Sequence, residues 1–168
     1  MKAKIINTKI LLIALMAIFS VSCTEDEGEP EISFDPITLE FKELGLDYDD
    51  TQFSIDGYNF VAYFVQSADN LQYTPAPGIG LWNSTAGNGP ANIQLDLNQF
   101  SGLNAITIDY EDYSNLMVSL YKNGSLVKET DHERNGTIER SLKVDIDDQY
   151  DAIKLSSYEA IILTMHFE

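Results

Sequence analysis

Apolar and polar residues alternate with period two along most of the chain beyond residue 32. The alternation is clear at 93–97 and 105–110, and it continues along the C-terminal segment 160–167. Such alternation is typical of β-strands that bury one face. No stretch beyond residue 23 keeps an apolar period of 3.6 over three helical turns. The pattern therefore predicts an all-β domain.

The clearest turn signal is Asn123-Gly124, which stands between the apolar segments 116–121 and 126–128. Both central residues of a two-residue hairpin turn adopt positive φ, which Asn and Gly tolerate. Further strands are predicted at 38–41, 53–55, 60–64, 136–144 and 152–156. A total of about nine or ten antiparallel strands is typical of a single β-sandwich.

The N-terminus differs from the rest of the chain. Lys2, Lys4 and Lys9 precede the apolar stretch 10–21, which ends just before the single cysteine, Cys23. A membrane-spanning helix needs roughly 20 apolar residues, so this stretch is too short and predicts a secretory signal peptide.

Ser20, Val21 and Ser22 precede Cys23. This sequence resembles the lipobox of bacterial lipoproteins, although Ser20 stands where Leu is commoner. The resemblance implies a lipoprotein signal peptide over 1–22 and acyl chains such as palmitate on Cys23, which would hold the protein on a membrane. The alternative is an ordinary signal peptide that happens to end near a cysteine.

The segment 24–31 carries five acidic residues and no base. Self-repulsion and low hydrophobicity predict an extended tether, so 23–31 is interpreted as the lipidated cysteine and its tether. An acidic run after the lipobox cysteine also resembles the surface-export signal of Bacteroidota lipoproteins. The resemblance implies that the domain, 32–168, faces the extracellular side of an outer membrane.

Charge and cysteine content exclude several classes of protein. The chain has 27 acidic and 10 basic residues and a formal net charge of -17. Nucleic acids are poor partners for such a chain, because phosphate binding needs clustered Lys and Arg. A single cysteine excludes an intrachain disulfide framework and a Cys-rich zinc module.

The order of strands and turns resembles that of another group of proteins. The segments that carry this resemblance are 39–41, 56–60, 106–109, 120–124 and 152–163. Their order is similar to that of the galactose-binding-like jelly rolls, which include carbohydrate-binding modules. The resemblance implies a jelly-roll sandwich and a non-catalytic binding role, although a fold alone does not fix a function.

Motifs for catalysis are missing from the sequence. It contains no Gly-x-Ser-x-Gly nucleophile turn, no His-Glu-x-x-His zinc motif and no phosphate-binding loop. His132 and His166 are interpreted as solvated surface residues. We therefore expect no enzyme activity; a small glycan hydrolase remains an alternative, because carboxylates are abundant.

Calcium is the ion that the acidic clusters favour, because it prefers oxygen ligands. Asp145 and Asp147 form part of one such cluster. The jelly-roll resemblance implies a structural calcium near an early-strand carboxylate and the C-terminus, positions that Glu40 and Glu168 match. The alternative is that these acids are turn or outward-facing residues. No cofactor is expected to be required.

The segment 66–92 is interpreted as one long loop and as the best candidate ligand site. It holds the only tryptophan and many amide side chains. An aromatic face stacks on a sugar ring while amides reach its hydroxyls, and the candidates are Trp82, Tyr73, Asn83 and Asn88. The alternative places Trp82 in a short strand, 80–82, as a core anchor.

Together these features predict a lipid-anchored outer-membrane protein with a non-catalytic domain for extracellular carbohydrate. The alternative is a structural or protein-interaction component of an envelope complex. The expected partners are a membrane, through the lipid anchor, and either a glycan or an envelope protein.

Overall fold

A computed structural model of the protein describes residues 34–68, 77–83, 89–134 and 139–168. These residues form twelve strands and one short 3-10 helix, Leu97–Gln99. The strands are β1 (Ile37–Glu40), β2 (Gln52–Ile55), β3 (Tyr58–Tyr63), β4 (Val65–Ser67), β5 (Ile79–Trp82), β6 (Ala91–Asp96), β7 (Ala105–Asp112), β8 (Leu116–Lys122), β9 (Ser125–His132), β10 (Glu139–Asp145), β11 (Ala152–Ser157) and β12 (Glu159–Phe167).

The strands form two six-stranded sheets, and neighbouring strands are antiparallel throughout. The first sheet has the order β10-β7-β12-β5-β4, and β1 also pairs with β12. The second sheet has the order β2-β3-β6-β11-β8-β9. Consecutive strands often lie in different sheets, so side chains that are distant in sequence become neighbours.

The core lies between the inward faces of the two sheets. Aromatic rings from both sheets meet there: Phe41 and Phe60 pack edge to face with centroids 5.4 Å apart, and Phe100 stacks on Phe167 at 4.4 Å. All four rings are buried. Aromatic pairs at these separations stabilise a core beyond their area of burial.

The prediction of an all-β sandwich is confirmed. The Asn123-Gly124 hairpin is also confirmed, because β8 pairs with β9 across it and the two residues have φ of 49° and 74°. Both values lie in the left-handed region that this turn requires.

Two details of the sequence interpretation are wrong. The described residues contain twelve strands rather than nine or ten, and the 66–92 segment is not one loop, because it contains β5. The strand β5 reads Ile-Gly-Leu-Trp and is buried along most of its length. It therefore lacks the alternation that marks a half-buried strand. The three-residue strand β4 is too short to show any period.

Across the described ranges, no helix has the length and apolar character that crossing a membrane would need.

Candidate functional site

The outer face of the second sheet carries amides and hydroxyls. One row of side chains crosses five strands in register: Gln52 on β2, Val61 on β3, Gln94 on β6, Lys154 on β11 and Ser119 on β8. Directly opposite side chains in an antiparallel sheet are about 4.5–5.5 Å apart. The row therefore places the amides of Gln52 and Gln94 on either side of the apolar Val61, whereas the buried Ser119 hydroxyl donates to a Glu129 carboxylate oxygen.

A second row runs beside the first. Asp96, Ala152 and Tyr121 are opposite one another on β6, β11 and β8, and Ser54 is opposite Asn59 on β2 and β3. The two rows flank a surface depression.

This depression has two adjoining parts, of about 580 Å³ and about 420 Å³. Gln94 and Asp96 line both parts, so the two form one groove across the strands. We call it the amide groove and define it by the side chains of Gln52, Ser54, Asn59, Val61, Gln94, Asp96, Gln99, Tyr121 and Ala152.

The floor of the amide groove is fixed by hydrogen bonds from the short 3-10 helix. The Gln99 Oε1 atom accepts a bond from the backbone N–H of Asn59 at 3.1 Å, and its Nε2 donates to the carbonyl oxygen of Asp96 at 2.9 Å. The Asp96 Oδ1 atom in turn accepts from the backbone N–H of Asn98 at 2.9 Å. These contacts join β3, β6 and the 3-10 helix.

Three amide side chains of the groove are available to a ligand. The side chains of Gln52, Asn59 and Gln94 make no hydrogen bond to another described residue. Gln52, Asn59 and Gln94 are exposed. Each amide offers two N–H donors and one carbonyl acceptor, which suits neighbouring sugar hydroxyls.

Aromatic rings lie on the same face. The Lys154 Nζ atom is 5.3 Å from the centroid of the Tyr121 ring, a cation–π contact that orients both side chains. Tyr63 has an exposed fraction of 46% and packs edge-on against Phe64 at 4.3 Å. Tyr121 and Tyr63 are therefore the rings of this face on which an apolar sugar surface can stack.

Trp82 and Asn83, two of the sugar-binding candidates of the 66–92 segment, do not line the amide groove. Trp82 is half-buried at the end of β5, opposite Glu159. Asn83 is buried, and its Nδ2 atom donates to the carbonyl oxygen of Gly89 at 2.6 Å. Tyr73 and Asn88 lie outside the described residues. The Asn83 side chain thus links the end of β5 to Gly89, while Trp82 offers part of its surface to solvent.

The four calcium candidates are held by other partners or point to solvent. Glu40 forms an ion pair with Lys42, and Glu168 forms one with Lys143. The Asp147 Oδ1 atom accepts from the backbone N–H of Gln149, and Asp145 is exposed at the end of β10. In the part of the chain that is described, no three His, Cys, Asp or Glu side chains are grouped as a metal site would require.

His166 is not an isolated surface residue. Its Nδ1 atom is 2.9 Å from Thr38 Oγ1 on β1, and its Nε2 atom is 3.0 Å from Asp109 Oδ2 on β7. Burial raises the pKa of the Asp109 carboxyl, but hydrogen bonds from Thr164, Ser141 and His166 outweigh burial and hold the pKa below its usual value. This network joins four strands, β1, β7, β10 and β12, on the outer face of the first sheet, away from the amide groove.

His132 lies on the inward side of β9, between the sheet edges formed by β9 and β10. Burial and the nearby Arg140 guanidinium lower the pKa of this imidazole. The ring is therefore an inward-facing group of the β9 edge rather than a fully solvated one.

The amide groove is not among the sites that the sequence predicts. Apart from Gln99, which comes from the 3-10 helix, its residues come from β2, β3, β6, β8 and β11, where each occupies an ordinary outward position. The available signal was that Gln52, Asn59 and Gln94 place amides, rather than the charges common elsewhere in this acidic chain, at such positions. Only the order of the strands in the sheet brings these amides together.

Comparison with known proteins gives likenesses in structure alone. No family model matches the chain, and no curated protein matches it. A tyrosine-to-alanine mutant of CBM29-2, a family 29 carbohydrate-binding module, is similar at 9% identity, with a TM-score of 0.52 over 80% of this chain and 92% of the module. An aspartate-to-alanine mutant of that module complexed with mannohexaose is similar at 11% identity, with a TM-score of 0.50 over 81% and 93%.

A third similar structure is that of an adhesin domain. The K2 cleaved adhesin domain of Lys-gingipain is similar at 14% identity, with a TM-score of 0.51 over 80% of this chain and 99% of that domain. At such low identities these likenesses show the fold alone. The chain is therefore a β-sandwich whose architecture is shared by carbohydrate-binding modules and by an adhesin domain.

Proposed function

We propose that this protein is a lipid-anchored cell-surface protein whose sandwich domain binds extracellular carbohydrate without catalysis. The observation that carries the proposal is the amide groove, where Gln52, Asn59 and Gln94 present unengaged amides and the ring of Tyr121 lines the same part as Gln94. Amides with an adjacent aromatic face are the groups that recognise sugar hydroxyls and sugar rings. The architecture shared with carbohydrate-binding modules supports the same proposal.

Binding to immobilised glycans tests the groove. We expect Gln94→Ala and Tyr121→Ala each to weaken binding by about tenfold or more, because each removes hydrogen bonds or stacking that contribute roughly 1–2 kcal/mol. The measurement is a glycan-array screen of the purified protein, followed by titration with the best oligosaccharide.

Two further variants make the test specific. Thr107 lies on the outer face of the first sheet, so Thr107→Ala should leave the affinity for the oligosaccharide unchanged. Trp82→Ala examines the site predicted from the sequence, which remains a proposal. Loss of affinity in Trp82→Ala, with full affinity in Gln94→Ala and Tyr121→Ala, would move the binding site to the end of β5 and contradict the groove.

The lipid anchor rests on the sequence around Cys23, which lies outside the described residues. We expect Cys23→Ser to abolish incorporation of labelled palmitate and to release the protein from the membrane fraction. An unmodified Cys23 thiol in the mature wild-type protein, measured by mass spectrometry, would refute the anchor.

A role in an envelope protein complex is the second candidate. Strand β9 is an eight-residue sheet edge, and seven of its eight residues are exposed, among them Leu126 at 52% and Val127 at 48%. Unpaired sheet edges are templates for pairing with another chain. No binding across the glycan array, together with crosslinking of β9 to an envelope protein on intact cells, would favour this function.

A further inference from the structure

A second cleft lies at one end of the sandwich, where the 97–104 and 146–151 connections meet. Its volume is about 330 Å³. Apolar side chains form its inner wall, among them the buried Phe100 and the half-buried Leu103 and Tyr150. Polar side chains surround its mouth. We call this the end cleft; the residues its mouth presents are Asn98, Ser101, Lys122, Asp147 and Asp148.

The end cleft adjoins the amide groove. Asn98 lines both the end cleft and the part of the groove next to Tyr121. Two consecutive residues of β8 line the two depressions: Tyr121 lines the groove and Lys122 lines the cleft. The Asn98 side chain is therefore a shared wall of the groove and the cleft, beside the backbone hydrogen bonds that Asp151 makes with Leu97 and Tyr121.

The boundary between the two is held in place. The Asp96 Oδ1 atom accepts hydrogen bonds from the Asn98 backbone N–H at 2.9 Å and from its Nδ2 at 2.8 Å. Because Asp96 itself belongs to the groove, the position of Asn98 is fixed relative to the groove floor. A branch point on a bound chain would meet a preformed entrance, which lowers the entropy lost on binding.

The chemistry of the end cleft suits an uncharged sugar ring. Tyr150 and Leu103 offer an apolar wall, and the Asn98 side chain and the Ser101 hydroxyl lie at the mouth. The single ammonium group, Lys122 Nζ, donates to the carbonyl oxygen of Asp148 at 2.9 Å. The carboxylates of Asp147 and Asp148 outnumber it, so an anionic branch would be repelled.

The size of the end cleft limits the branch. Small-molecule sites usually have volumes of roughly 300–1,000 Å³, and the end cleft lies at the lower limit of that range. We propose that the protein selects glycans whose main chain carries neutral single-sugar branches, with the chain in the amide groove and one branch in the end cleft. This inference rests on the proposed carbohydrate-binding function.

The test compares linear and branched oligosaccharides that share a main chain. The probes are linear hexasaccharides of mannose, glucose and xylose, and the same chains bearing single galactose, xylose or arabinose branches. We expect at least one branched probe to bind about tenfold more tightly than its linear counterpart, as measured by calorimetry with the full protein.

Two variants separate the end cleft from the groove. Ser101→Trp places a bulky side chain at the exposed mouth and should remove the preference for branched probes, while affinity for linear probes stays unchanged. Tyr150→Ala should have the same effect, and thermal unfolding checks that it remains folded. Gln94→Ala should lower the affinity for linear and branched probes by similar factors.

Each outcome distinguishes the two proposals. Equal affinity for linear and branched probes, or a branch preference that survives in Ser101→Trp, overturns the end-cleft inference but leaves the groove intact. Absence of binding to every probe, or binding that Gln94→Ala and Tyr121→Ala leave unchanged, overturns the groove itself.

Discussion

Replacing Arg140 by leucine is expected to lower the free energy of unfolding by about 3–5 kcal/mol. The Arg140 Nη1 atom is 2.7 Å from Asp112 Oδ2, and the Asp112 side chain is fully buried. Its other oxygen, Oδ1, has no hydrogen-bond partner among the described residues. The variant would therefore leave a buried carboxylate without its cation, which costs much more than the loss of an exposed ion pair.

Arg140 also connects other parts of the fold. It donates to the carbonyl oxygen of Glu133 at 2.9 Å, and its guanidinium lies 5.8 Å from the centroid of the buried Tyr110 ring. Leucine would keep some of the apolar contact with Tyr110 but neither hydrogen bond. The expected loss is thus dominated by the uncompensated charge of Asp112.

A double variant separates the charge from the contacts. Asp112→Asn combined with Arg140→Leu should be more stable than Arg140→Leu alone, because asparagine removes the buried charge. Urea unfolding at neutral pH measures the four corners of this cycle. A cost below about 1 kcal/mol for Arg140→Leu would contradict the assignment of this pair as buried and important.

The sequence predicts those strands of the fold that bury one face and expose the other to solvent. Strands β6 and β7 alternate in that way, as does β12 from Thr164 to Phe167, and the Asn123-Gly124 turn fixes the β8–β9 hairpin. The same alternation does not reveal strand β5, because this strand is covered on both faces. Local pattern thus predicts elements well when burial is one-sided.

The candidate site is less accessible to sequence reasoning for a different reason. Gln52 and Gln94 are 42 positions apart in the sequence, yet the neighbouring strands β2, β3 and β6 place them on one groove. The tryptophan and the asparagines of the 66–92 segment have side chains of suitable chemistry, which the sequence alone reveals. The sequence does not reveal that the Asn83 amide donates to a backbone carbonyl oxygen within the fold.

Gly78→Ala is expected to lower the free energy of unfolding by about 3 kcal/mol, because it combines a backbone conformation unfavourable for alanine with a steric clash. Gly78 has a φ of 141°. A Cβ atom there would lie 2.5 Å from the carbonyl oxygen of Ile162 and 2.9 Å from Ile161 Cγ2. Thermal and urea unfolding measure the loss.

Two matched glycines divide this loss into its causes. Gly57 has a φ of 89° with open space around it, so Gly57→Ala should cost only about 1 kcal/mol for the backbone conformation. Gly89 has open space and no left-handed φ, so Gly89→Ala should change stability by less than about 0.5 kcal/mol.

The position of Gly78 explains why relaxation cannot remove the clash. Gly78 directly precedes β5, its carbonyl accepts a hydrogen bond from Ala68 at 2.9 Å, and β5 pairs with β12 at Ile79 and Ile162. Ile161 and Ile162 are fully buried, so moving either residue would disturb the central strand β12. A Gly78→Ala variant as stable as Gly89→Ala would mean that β5 does not approach β12 as closely as this packing requires.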